Sequence, residues 1–127
     1  MFKSIVVLLL LVVNGCDKNN SFIDTDKNTL WVFVANEGNF GASNGSISMI
    51  GEFGDVYETE SLGDVVQSLE VWEDKLIVLI NNSQKIKVFD ITSEGLSMPG
   101  IEVSVGGSPR EMVIVNDNVY FTNWETD

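Results

Sequence analysis

Few residues in this chain are equipped for chemistry, and their types narrow the possibilities at once. The sequence of 127 residues has no histidine and one cysteine, Cys16. A Ser-His-Asp or Cys-His nucleophile cannot be assembled from it, and the commonest metal ligand is missing. Carboxylates and carbonyls can bind calcium, but no run has the ligand spacing of a dedicated loop. Paired acids stand at Glu58/Glu60 and Glu73/Asp74. Alternate positions on a strand share one face, so Glu58 and Glu60 read more simply as a solvated surface than as a general acid and base. Arg110 is the only arginine. Its guanidinium suits a carboxylate or phosphate, with an ion pair to Glu111 or a facing acid as the simpler expectation. No catalytic residue and no cofactor is expected.

Cys16 takes its meaning from position. Residues 1–15 combine Lys3, an unbroken apolar run over 5–13, and small or polar residues before the cysteine, which is the layout of a secretory signal. The run is too short to span a hydrocarbon core of about 30 Å, which needs about 20 residues. Val13-Asn14-Gly15-Cys16 resembles a bacterial lipobox, in which the chain is cut before the cysteine and acyl chains are attached to it; Asn14 departs from the commoner Ala or Ser. Cys16 is thus the expected lipidation site, and several acyl chains make a stable anchor. The rest of 16–28 is polar and aperiodic, a tether that cannot bury enough surface to order itself.

Charge excludes one class of partner. The chain carries 7 basic and 19 acidic residues, a formal net charge of −12, and cleavage before Cys16 would remove Lys3 and no acid. Phosphate backbones need a basic face, so nucleic acid is not expected as a partner.

The elements that must position any site are strands. After the tether, short segments rich in Val, Ile and aromatic residues are bounded by Gly, Asn and Asp, and this spacing predicts strands over 30–35, 46–50, 56–61, 67–72, 75–80, 85–91, 101–105, 110–115 and 119–123. No helix of ordinary length fits. Asn44-Gly45 reads as a turn dipeptide favouring positive φ. Residues 76–80 are apolar throughout, as in a strand covered on both faces, whereas Lys85-Ile86-Lys87-Val88 alternates like a strand with one wet face. Trp31 and Trp72 are expected in the core.

The chain also repeats itself. Residues 67–83 return 43 positions later as 110–126, with Leu69/Met112, Val71/Ile114, Leu76/Val119, Ile77/Tyr120 and Val78/Phe121 matched in class and Asp74/Asp117 identical. A strand-only repeat of this period points to propeller blades. The expected fold is all-β, a β-propeller fragment of two to two and a half four-stranded antiparallel blades over 29–127. With strands lettered A to D outward from the axis, it holds B, C and D of one blade, A to D of the next, and A and B of a third. Too few copies are present to close a ring, so the chain is expected to be the opening piece of a longer protein.

Alternating strand direction sorts the connections into two rims. One collects 36–44, 63–66, 81–84, 106–110 and 124–127; the other, with 52–55, 73–74, 93–98 and 116–118, is mostly acids and turn formers. The first offers Glu37, Phe40, Asp64, Asn82, Arg110 and Trp124, a mixture suited to a polar ligand with apolar faces. These six are the candidate binding residues. Asn36, Asn82 and Asn123 recur near strand ends, where capping of backbone groups is the simpler role.

Val119-Tyr120-Phe121-Thr122-Asn123-Trp124, preceded by Gly107-Ser108-Pro109-Arg110, resembles the YVTN-type β-propeller family, with Phe121 in place of the family's valine. Val34-Ala35-Asn36-Glu37-Gly38-Asn39-Phe40-Gly41, followed by Asn44-Gly45-Ser46, is similar to the opening blade of a branch found as surface lipoproteins in Bacteroidetes-type bacteria. The resemblance spans 29–127. It implies a seven-bladed propeller displayed on the outer membrane, and some relatives capture corrinoids for an outer-membrane transporter. The expected function is therefore non-catalytic binding of a ligand or partner protein through one loop rim. Two alternatives stand beside it: a lactonase-like or quinone-dependent propeller enzyme with its catalytic groups on further blades, and a structural scaffold in a transport complex.

Overall fold

The computed structural model describes residues 30–124, so the expected signal, Cys16, the tether and residues 125–127 lie outside the described residues. Ten strands follow one another: β1 (Val32–Asn36), β2 (Ser46–Ile50), β3 (Val56–Glu58), β4 (Val66–Trp72), β5 (Lys75–Ile80), β6 (Lys85–Thr92), β7 (Gly95–Leu96), β8 (Ile101–Ser104), β9 (Ser108–Val115) and β10 (Asn118–Trp124). They pair antiparallel throughout, in the orders β1-β2-β3, β4-β5-β6 and β9-β10. β8 continues the middle sheet along the first half of β6, while β7 pairs with the far end of β6. The protein is all-β, with no helix among the described residues and no closed sheet.

Each of the nine segments read from sequence forms a strand. β7 is the addition, two residues inside the expected 93–98 loop. β3 stops at Glu58 instead of running to residue 61 because its register with β2 shifts there: Ser48 pairs with Glu58, whereas Gly45 bridges Gly63. Leu62 donates its N–H to Gly45 O, and Gly45 donates to Gly63 O, both at 2.8 Å. That bridge corrects the Asn44-Gly45 reading. Gly45 is buried and does not have positive φ; a Cβ there would lie 2.8 Å from Glu37 O and Val66 Cγ2. Close backbone approach requires the glycine.

The core lies between the first and middle sheets, where Ile47, Met49, Leu62, Val66, Leu76, Val78, Ile80 and Phe89 cluster. Every residue from Leu76 to Ile80 is buried. Leu76, Val78 and Ile80 belong to that cluster, while the alternate side chains Ile77 and Leu79 point to the other face, where β5 meets β9. Apolar sequence on both faces is thus matched by cover on both faces. The alternation on β6 has a different outcome. Lys85 and Lys87 are drawn onto one carboxylate, Glu102 of β8, at 3.1 and 3.2 Å, with only 13% of the Lys87 side chain exposed.

Trp31 precedes β1 and is half-buried instead of central. It packs edge-on against Tyr57 and donates Nε1–H to Thr92 O at 2.9 Å, locking the first sheet to the end of β6. Trp72 is likewise half-buried. Apolar side chains remain uncovered on the outward faces of the end sheets, among them Val32, Val34 and Val56 at one end and Val113, Val115 and Tyr120 at the other.

Candidate functional site

The loops sorted to one rim are fastened together, and Asp64 is the centre of the fastening. Its carboxylate accepts the Gly41 N–H through both oxygens, at 3.0 and 2.9 Å, and also accepts a hydrogen bond from the Asn82 amide. Its own N–H donates to Ser83 Oγ at 2.8 Å. Only 5% of Asp64 is exposed, and its carboxylate organises the loops. Buried acids are retained where backbone N–H groups and amides satisfy them, as here.

The next residue, Val65, holds a left-handed φ of 64°, an unfavourable conformation for a β-branched side chain. It persists because its neighbours pin it: Val65 O accepts the Asn81 N–H at 2.8 Å. Asn81 then extends the network to the third sheet, donating from its buried Nδ2 to Pro109 O at 2.9 Å. Loops 37–44, 63–65, 81–84 and 106–110 thereby form one connected layer.

Arg110 and Trp124 close the series. The guanidinium carbon sits 4.3 Å from the centre of the indole ring, a cation–π stack. The expected ion pair with Glu111 does not form, and no carboxylate of the described residues lies in ion-pair range of Arg110. Trp124 also ends β10, paired with Ser108, instead of starting a loop.

A local irregularity sets the aim of Arg110. The β9-β10 register shifts between Phe121 and Asn123, leaving Arg110 and Glu111 opposite Thr122 alone. The β4-β5 register shifts in the same place, between Val66 and Ser68, with Gln67 as the extra residue. Gln67 and Arg110 are thus equivalent bulge positions on the neighbouring strands β4 and β9, and both are exposed. Bulges commonly re-aim side chains beside binding sites. Gln67 is absent from the six candidates, although the 43-residue offset that relates it to Arg110 was legible.

Of the remaining candidates, Glu37 and Asn82 are exposed, and Phe40 is 81% exposed. The structure joins Asn82 to Asp64 and Arg110 to Trp124, and brings the backbone beside Phe40 onto Asp64; it records no direct contact from the Glu37 side chain to the others. Asn36 lies within β1, donating Nδ2–H to Ser46 Oγ and Ser48 Oγ, and Ser46 donates to Glu58. Glu58 is therefore part of a strand ladder, not a pair with Glu60. Asn123 donates to Gly106 O at 2.8 Å, while its buried Oδ1 has no partner. An open groove of about 340 Å³ lies apart from the Asp64 layer, lined by Glu111, Met112, Val113, Tyr120, Phe121 and Thr122. No group of three or more acidic or cysteine side chains converges as a metal cage among the described residues.

Fold and site together define an all-β protein of packed antiparallel sheets whose loops at one end are cross-linked around a buried aspartate. No protein-family model and no curated protein matches the chain. The resemblance to the YVTN-type family therefore rests on the motif residues quoted above.

Proposed function

We propose that this chain is part of a surface-anchored, non-catalytic β-propeller lipoprotein, tethered through Cys16, that captures a ligand at one loop rim. The reading takes the three sheets as strands B to D, A to D, and A and B of successive blades. The strand orders β1-β2-β3, β4-β5-β6-β8 and β9-β10 support it. So do the uncovered apolar faces of both end sheets, which further blades would cover.

The observation that carries the binding reading is the Asp64 layer. It fixes loops from successive sheets into one platform beneath exposed Phe40 and Asn82. Holding loops rigid before a ligand arrives reduces the ordering cost of binding. The ligand class to which the family resemblance points is a nutrient such as a corrinoid, passed on to an outer-membrane transporter.

Calorimetric titration of the whole protein with a panel of corrinoids tests this. Saturable binding without turnover, weakened by Phe40→Ala, is the expected result. Absence of binding across the panel removes corrinoid capture. Mass spectrometry of the mature N-terminus tests the anchor separately, and an unmodified Cys16 would remove it.

A further inference from the structure

We propose that Arg110, stacked on Trp124, and Gln67, at the equivalent bulge of the preceding sheet, recognise an aromatic carboxylate. The proposal rests on the rim-binding reading and names the chemistry of one part of that rim.

Charge compensation singles Arg110 out. Lys75 lies 3.0 and 2.7 Å from Asp74 and Asp90, and Lys85 and Lys87 lie 3.1 and 3.2 Å from Glu102. Among the described residues Arg110 alone has a cation without a carboxylate partner. In a chain of formal net charge −12, acids are abundant, and an exposed arginine left without one is available to an external anion.

The stack prepares that arginine. Lying over the indole at 4.3 Å restricts the side chain while leaving the edge of the fork, where its N–H groups point, free to grip a carboxylate through two parallel bonds. Trp124 remains 64% exposed, so indole surface is left for a flat ring. Gln67, on the neighbouring strand β4, supplies an amide that can donate or accept.

The surrounding charge determines the ligand class. A strongly acidic protein repels small anions in general, so a carboxylate alone gains little here. An anion whose ring also stacks on the indole overcomes that repulsion.

Three probes separate these contributions: benzoate carries ring and charge, acetate the charge alone, and benzamide the ring alone. Fluorescence titration of the whole protein follows the emission of Trp31, Trp72 and Trp124 together, and the same titration of Trp124→Phe isolates the share of Trp124. Saturable quenching by benzoate is expected, with acetate and benzamide at least tenfold weaker. Arg110→Gln should weaken benzoate tenfold or more, Arg110→Lys less, and Gln67→Ala two- to fivefold. Phe53→Ala, on the opposite turn, serves as the control and should leave binding unchanged. Circular dichroism verifies that each variant is folded.

The proposal is overturned if benzoate binds no better than both partial probes, or if Arg110→Gln binds it equally well. It is also overturned if benzoate binds only after Glu125→Gln with Asp127→Asn, since the chain would then be occupying its own arginine. Loss of benzoate binding alongside intact corrinoid binding would sink this site and leave the rim reading standing.

Discussion

The Gly41 N–H donates to both carboxylate oxygens of Asp64, joining the loop after β1 to the loop before β4 across 23 positions of sequence. A single buried acid thus fixes how two successive sheets present their ends. Its removal should be felt at the rim first.

Asp64→Asn keeps the shape but removes the charge and one acceptor oxygen. A hydrogen bond to a charged group contributes about 1.5–3 kcal/mol, and a loss of this size is expected in urea unfolding. Hydrogen exchange should accelerate at the Gly41 amide well before it does in β5. Unchanged protection at Gly41 would show that the carboxylate does not hold this loop.

Asn81→Ala tests the link to the third sheet. Its amide is the partner of Pro109 O, and both residues are buried. An unsatisfied buried carbonyl costs about 1–3 kcal/mol. β9 and β10 should lose exchange protection while β4 to β6 keep theirs. Equal loss in all five strands would mean that the sheets unfold as one body.

Phe89→Ala probes the core. The ring is fully buried, sits beside Leu76 in the strand register and belongs to the cluster between the first two sheets. A loss of about 3–5 kcal/mol is expected, seen as a lower denaturation midpoint with an unchanged slope. A loss below about 1 kcal/mol would show that the cavity collapses.

Glu102 gives the pH dependence. The hydrogen bond from Lys85 holds its carboxyl below the usual glutamate range, burial opposes that shift, and Lys87 reinforces it. A carboxylate with a lowered folded pKa adds stability above its unfolded pKa, and that contribution is lost as pH falls through the folded value. Glu102→Gln should therefore flatten the acid limb of the stability profile. At neutral pH the change should stay below about 1 kcal/mol, because the glutamate side chain is 49% exposed and solvent screens the pair. An acid limb identical to that of the parent protein would remove Glu102 from it.

Much of the fold was readable because strand chemistry is local. Alternating Val, Ile and aromatic residues between Gly, Asn and Asp marked nine strands, and unbroken apolarity marked β5 as covered on both faces. β7 escaped because two residues, Gly95 and Leu96, hold no period. The site was harder to read, since its contacts are long-range. Nothing near Asp64 in sequence announces Gly41 or Asn82 as partners. Gly45 looked like turn chemistry, whereas its need is to admit Glu37 O and Gly63 O. Arg110 was expected to pair with Glu111, but both lie in a bulge that local sequence does not announce, and the bulge sets the aim of the arginine. Trp124, near in space across the hairpin, meets it instead.

The bulges at Gln67 and Arg110 have a consequence for substitution. One extra residue inverts the alternation of a strand, so side chains on the rim side follow a different parity from those on the core side. Leu69 and Met112 are half-buried, while Gln67 and Arg110 stand exposed. Substitution at these two exposed positions can therefore change the surface at one end of each sheet without disturbing the alternation of its core.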